Sequence, residues 1–364
     1  MTELRRLRPG VRVFGAGGLA MEKAGVEIVL PQRELAVAGV VEVLGILPQV
    51  FAAWRKLERT VERERPGLAV LLDAPDFQLP LAKRLKRRGI PLLYYIGPNV
   101  LRWRRGRIHK LAGRADRLAS IFPFESDLYA STSLPVDYVG HPLVQPLRAF
   151  ADQWDRRTAR EALGIAADAP LVALAPGSRH NELRHMLGVF AASAAAIRAR
   201  DPRVRFALCV APTISRRRIE ESLPASPSEL GIELVEGRTR EVLVAADAAL
   251  VKPGSITMEA ALLGCPLVVA GRAHPLTAAL LRRLVREPSF AMPNVIAGEP
   301  IVPEFLQERA EPEALAEAVL ALLRGPAGGL QRKQLARVRE RLGDGAAARR
   351  TAAIAHEMLE ASRA

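Results

Sequence analysis

Three short turns carry the side chains of this sequence best suited to chemistry. In Leu72-Asp73-Ala74-Pro75-Asp76-Phe77 two carboxylates follow directly on the apolar run 68–72, and Pro75 cannot continue a strand ladder. Both acids are therefore expected at the carboxyl end of a buried strand, where open α/β sheets meet their ligands. Asp73 has no structural duty there and suits a general base, whereas Asp76 either shares that chemistry or N-caps a helix starting near Phe77. In Pro176-Gly177-Ser178-Arg179, after the run 171–175, Gly177 lets a ligand approach the backbone, Ser178 can cap the next helix, and Arg179 can offer a forked donor pair to phosphate. The simpler reading of these residues is a capped turn with an exposed arginine, Glu182 opposing Arg179 or His185 on the helix surface. The third turn, Lys252-Pro253-Gly254-Ser255, follows the run 248–251, and a helix beginning near Ser255 would present free N–H groups to an anion. Glu259 lies one turn inside that helix, where a carboxylate suits two vicinal ribose hydroxyls better than a phosphate. Two such turns in succession fit a nucleotide-sugar site.

Other chemistries find no support in the pattern. The P-loop signature and the G-x-S-x-G elbow are absent, and the six histidines and two cysteines show no metal-ligand spacing. Gly15-Ala16-Gly17-Gly18-Leu19-Ala20 matches a dinucleotide fingerprint, with Glu34 at a suitable distance, but Gly25 leaves too little room for the helix that must follow. A turn near a sugar or phosphate is the expectation there.

The elements that must position these turns alternate in the manner of βα units, which predicts an α/β fold with parallel sheets. Strands are expected over 11–14, 68–72, 92–96, 117–121 and 136–139, then over 171–175, 205–210, 232–235, 248–251 and 267–270. Helices are expected over 47–63, 80–88 and 155–163, with three more near 312–324, 330–342 and 345–361. The Pro-punctuated segment 140–150 reads as an interdomain linker. Met1 to Leu7 reads as the back half of an amphipathic helix, with no strand before it.

The 364 residues, 49% of them apolar, suffice for two domains and exclude a disordered chain. Two cysteines are too few for a disulfide framework, and there is neither a secretory signal nor an apolar run long enough to span a bilayer, so a cytoplasmic or membrane-peripheral protein is expected. The formal net charge is +14, yet only seven basic residues are lysines, and an arginine- and alanine-rich composition of this kind places part of the charge in a solvated background. Two segments bear on the remainder. The stretch 35–54 carries one charge, Glu42, and reads either as an exposed apolar patch at a membrane, with Val40, Val43, Leu44 and Leu47 foremost, or as buried core. Arg102, Trp103, Arg104, Arg105 and Arg107 form a basic cluster suited to anionic lipid; nucleic acid could use it, but no nucleic-acid-binding module is present.

Taken in order, Glu34-Leu35-Ala36-Val37, Asp73-Ala74-Pro75-Asp76-Phe77, Phe122-Pro123-Phe124-Glu125, Gly140-His141-Pro142, Pro176-Gly177-Ser178-Arg179, Met258-Glu259-Ala260-Ala261-Leu262, Pro293-Asn294 and Leu306-Gln307-Glu308 resemble lipid-A-disaccharide synthase. The resemblance runs from about residue 11 to the end. It implies a GT-B-type, metal-independent, inverting glycosyltransferase without cofactor, built of two doubly wound Rossmann-like domains facing a cleft. Residues 1–145 would form an acceptor- and membrane-facing domain, 146–340 a UDP-sugar domain, and 341–364 a helix packing back on the first. The substrates implied are UDP-2,3-diacylglucosamine and 2,3-diacylglucosamine 1-phosphate, at the inner face of the cytoplasmic membrane. Asp73 would be the base, Arg179 a diphosphate contact, and Glu259 and Asn294 donor-site residues. A homodimer is left open.

The sequence departs from the family pattern at three places. The opening strand and its Gly-Glu-x-Ser-Gly-Asp loop would precede Met1, Pro253-Gly254-Ser255 stands where Ser-Gly-Thr is expected, and Gly97-Pro98-Asn99-Val100-Leu101-Arg102-Trp103 replaces Ser-Pro-Ser-Val-Trp-Ala-Trp. These departures keep a second expectation in view, a silent or divergent relative that binds a nucleotide sugar or an anionic membrane surface. A UDP-sugar epimerase or another GT-B transferase is a third.

Overall fold

A computed structural model describes residues 1–32, 47–98, 106–273 and 289–362. The chain divides into two compact units, Met1–Pro142 with Gly345–Ala364, and Leu143–Asp344.

In the first unit β1 (Phe14–Gly17) pairs in parallel with β2 (Glu27–Pro31), and a separate parallel sheet runs β3 (Ala69–Leu72), β4 (Leu92–Tyr95), β5 (Arg117–Ser120), β6 (Val136–Tyr138) in that order. Apolar side chains of β4 and β5 alternate between two cores: Leu92, Tyr94 and Leu118 pack with the helices Leu47–Glu64 and Pro75–Lys86, while Leu93 and Ala119 pack on the other face. The chain's last helix, Ala347–Ala361, covers that second face with Ala352, Ile354 and Ala355. Glu357 accepts from Arg117 at 2.8 Å and Glu360 from Arg8 at 2.9 Å, so the helix is held at its polar edge as well.

The second unit is a six-stranded parallel sheet ordered β12-β11-β10-β7-β8-β9, with β7 (Leu171–Ala175), β8 (Arg205–Val210), β9 (Ile232–Glu236), β10 (Ala248–Val251), β11 (Leu267–Gly271) and β12 (Glu304–Leu306). Chain order advances outward on both sides of the β7–β10 pair. That pair is the topological switch point, outside whose carboxyl ends a crevice must open because the following segments depart to opposite faces. Every residue of β7 and β10 is buried, which explains why both appear in the sequence as unbroken apolar runs. The helices His180–Arg200 and Pro312–Arg324 supply much of the covering layer.

Several local expectations need correction. The first strand lies at Phe14–Gly17 rather than 11–14, so Gly15 and Gly17 belong to a strand and not to a ligand-binding turn. A Cβ on Gly17 would fall 2.6 Å from the Met21 sulfur, so this glycine permits close packing of the short helix Leu19–Lys23. Most of the expected linker 140–150 is the helix Val144–Gln153, with Val144 and Leu147 buried; Pro146 sits in its first turn, where no intrahelical N–H is needed. The helix after β3 starts at Pro75, not Phe77, and its N-cap position is Ala74, so Asp76 lies inside the first turn and not at the N-cap. Among the described residues no helix is long and apolar enough to cross a membrane.

Candidate functional site

The crevice at the β7–β10 switch point is a cavity of ≈ 740 Å³ lined by both of the turns expected to receive an anion. Gly177, Ser178 and Arg179 enter from the turn after β7, and Lys252, Gly254 and Ser255 from the turn after β10. Glu259, one turn into the helix Ser255–Leu263, lines the same space. Both glycines are required by backbone geometry. Gly177 has φ +143° and Gly254 φ +150°, and a Cβ on Gly177 would lie 2.6 Å from that of Glu182.

Glu182 ties the two turns together. Its carboxylate accepts from Lys252 Nζ at 2.7 Å and from the Ser178 N–H at 2.9 Å. Burial works against ionisation, but the hydrogen bonds from Lys252 and Ser178 outweigh it, and the carboxyl is held below its ordinary range. Glu182 therefore does more than oppose Arg179 or His185 on the helix surface. Ser178 does not cap the helix, since Arg179 is at the N-cap position of His180–Arg200 and no side chain caps that end. The Ser178 carbonyl instead accepts from Thr213 Oγ1 at 2.6 Å. Arg179 is exposed and lines the cavity, and its charge is felt by the Glu182 carboxylate.

Glu259 accepts from Arg240 Nε at 3.4 Å, and the Arg240 guanidinium lies 6.0 Å from the centre of the Phe150 ring. Arg240, Phe150 and the Glu182–Lys252 pair are the site features that sequence reasoning missed. Lys252 stood inside a recognised turn, whereas Phe150 and Arg240 come from distant segments and carry no local signal. Three cations, Arg179, Arg240 and Lys252, glycine-exposed backbone and the first turn of a nine-residue helix give this cavity groups that can hold an anion.

Asn294 is placed differently from the expectation. It is buried, donates to the Val302 carbonyl and to Glu304, both at 2.8 Å, and accepts from the Val302 N–H at 2.7 Å. Its amide is committed to fastening the helix Met292–Ala297 to the β12 edge, and it does not line the cavity.

In the first unit Asp73 and Ala74 adopt φ +45° and +39°, left-handed values unusual for residues with a side chain. The turn is pinned from the neighbouring strand. Tyr94 Oη donates to the Asp73 carbonyl at 2.7 Å, and the Asp73 N–H donates to the Tyr95 carbonyl at 3.1 Å. Burial pushes the Tyr94 hydroxyl well above its ordinary range, so it stays a donor. Asp73 itself is exposed at the strand end, and Asp76 forms an ion pair with Arg107 beside a smaller cavity.

Val40, Val43, Leu44, Arg102, Trp103, Arg104 and Arg105 lie outside the described residues, and Leu47 is described only as the first residue of the helix Leu47–Glu64. Of that helix Phe51 is 44% exposed, while Trp54 is buried and meets the Phe51 ring edge-on at 5.3 Å. Among the described residues no three His, Cys, Asp or Glu side chains group as metal ligands.

The family of lipid-A-disaccharide synthetases matches residues 1–358. The chain belongs to the lipid-A-disaccharide synthase family. A lipid-A-disaccharide synthase of Syntrophotalea carbinolica is 38% identical to it over 360 residues, covering 97% of this chain and 89% of that protein. The fold is that of GT-B proteins. The glycotransferase of kitacinnamycin superposes with a TM-score of 0.64 at 18% identity, covering 98% of this chain and 94% of the other. UDP-GlcNAc 2-epimerase from Neisseria meningitidis, bound to UDP-GlcNAc, superposes with a TM-score of 0.63 at 14% identity, covering 93% and 87%. At these identities the likeness to the two structures is one of fold, and the epimerase expectation gains nothing further from it. As a member of this family the chain is a glycosyltransferase of lipid A synthesis, with a UDP-sugar donor and a sugar acceptor as its substrates.

Proposed function

We propose that the enzyme transfers 2,3-diacylglucosamine from UDP-2,3-diacylglucosamine to the 6-hydroxyl of 2,3-diacylglucosamine 1-phosphate, with the UDP moiety seated at the β7–β10 switch point. The observation that carries this reading is the convergence of Gly177–Arg179 and Lys252–Ser255 on one cavity within a chain of this family. In the transfer Asp73 takes the proton of the acceptor hydroxyl, whose oxygen attacks the anomeric carbon from the face opposite UDP. The bond from that carbon to the diphosphate oxygen breaks, UDP leaves with the electron pair, and the configuration inverts to β. Arg179, Lys252 and the N–H groups opening the helix at Ser255 receive the charge that develops on the diphosphate. Glu259, braced by Arg240, suits the ribose hydroxyls. Asn294 acts through the fold around β12 and not by contact.

The first unit serves the acceptor, and the apolar stretch 35–54 and the cluster 102–107 favour a peripheral seat on the anionic cytoplasmic face of the inner membrane. The exposed Phe51 supports such a seat. A homodimer is compatible with the reading and is not required by it.

The test is a transfer assay on Asp73→Asn alongside calorimetric titration of UDP. Loss of a general base should lower kcat by roughly 10²–10⁴, with UDP affinity unchanged because Asp73 is not part of the UDP cavity. Full activity in this variant would remove Asp73 as the base.

A further inference from the structure

Beside the Asp73 turn, the first unit carries cations that the transfer scheme leaves without a role. A cavity of ≈ 430 Å³ is lined by Pro75 and Asp76 on one wall and by Arg107, Lys110 and Arg114 on the other. Three cations thus face one carboxylate, and their states differ. Arg107 is paired with Asp76. Arg114 donates to the Leu79 carbonyl at 2.9 Å, which fixes its guanidinium without neutralising it. The Lys110 ammonium is exposed and has no partner among the described residues. Nearby basic residues are treated otherwise: Arg84 and Arg88 are consumed by Glu58 at 3.0 and 2.9 Å. Lys110 thus keeps its charge at this cavity, where Arg84 and Arg88 have theirs met by a carboxylate.

Its position gives the charge a meaning. Pro75 and Asp76 follow directly on the turn that holds Asp73, so the cavity adjoins the candidate base along the chain. Lys110 is one helical turn beyond Arg107 in Arg107–Ala112, and both project from one helix face, with Arg114 just past the helix end. A flexible ammonium and an anchored guanidinium are a matched pair for a phosphate monoester, one adjusting to the other.

We propose that Lys110 and Arg114 form the subsite for the acceptor's anomeric phosphate and set the enzyme's preference for a phosphorylated over an unphosphorylated acceptor. The inference rests on the reading of Asp73 as the base for that acceptor. The anomeric phosphate and the carbon arm bearing the attacking 6-hydroxyl flank the ring oxygen of one sugar, so phosphate capture fixes the ring's direction as well as its affinity.

The experiment compares the full-length enzyme with Lys110→Ala and Lys110→Arg in neutral detergent, using short-acyl acceptors with and without the 1-phosphate. Loss of one charge-assisted contact should cut the ratio of kcat/KM between the two acceptors by roughly ten- to a hundred-fold. The loss should appear in KM for the phosphorylated acceptor, with the unphosphorylated one unaffected and Lys110→Arg retaining most of the preference. Equal effects on both acceptors overturn the proposal. A parallel measurement of binding to phosphatidylcholine vesicles with and without phosphatidylglycerol separates the other phosphate source. An unchanged acceptor ratio with weakened vesicle binding would assign the cations to lipid headgroups and overturn the subsite. Failure of the wild type to use either acceptor, or full activity in Asp73→Asn, would instead strike the transfer reading beneath it.

Discussion

The buried Tyr94 hydroxyl donates a 2.7 Å hydrogen bond to the carbonyl oxygen of Asp73 and so holds the candidate base in a left-handed turn. Two successive non-glycine residues with positive φ cost about 1–2 kcal/mol each, so the turn persists only because something pins it. In Tyr94→Phe the Asp73 carbonyl loses its donor, and kcat should fall several-fold with little change in KM for either substrate. Stability should drop by about 1–2 kcal/mol. Steady-state kinetics with a urea melt checks both, and an unaltered kcat would show that Asp73 needs no such support.

The Glu182–Lys252 pair, at 2.7 Å, joins the two turns of the proposed diphosphate seat. Lys252→Ala removes a cation and leaves the Glu182 carboxylate unopposed in the same cavity, so UDP should bind at least tenfold more weakly, the cost of about one charged contact. Adding Glu182→Gln removes the stranded charge and should restore part of that affinity. Calorimetric titration of UDP into the two single variants and the double reads the coupling directly. Additive losses would mean that the pair is structural only.

Glu125 is 5% exposed, and its carboxylate accepts from the N–H groups of Ile121 and Phe122 at 3.0 and 3.1 Å. Burial nevertheless dominates these bonds and pushes its pKa up to about 7. The folded state then keeps a proton that the unfolded chain has lost, so this residue makes stability fall as pH rises from the ordinary glutamate range through about 7. In Glu125→Gln that fall should be smaller, on the order of 1–3 kcal/mol across the interval. Denaturation midpoints across that range measure it, and parallel curves for the two proteins would rule the contribution out.

Legibility followed burial. β7 and β10 stood out to the residue because a strand buried on both faces leaves an uninterrupted apolar run. β1 was misplaced because glycines at 15 and 17 give no side-chain pattern, β2 was missed because Glu27 and Pro31 leave it an apolar run of only three residues, and β12 because it is three residues long. The prolines at 142 and 146 suggested a linker, although Pro146 is tolerated in the first turn of a helix.

The sequence by itself determined that this is an α/β chain with carboxylates after one strand and glycine-bearing turns after two others, since strand, proline and glycine chemistry act over a few residues. Only the tertiary structure decided which of these groups meet. Strand order sets β7 beside β10 and so brings Lys252 to Glu182 across 70 positions of chain, while it leaves Asn294 fastening a sheet edge. It likewise sets Tyr94 beneath Asp73 and Arg107 against Asp76. Such pairings depend on long-range strand registration and on the burial it creates, which local periodicity does not encode.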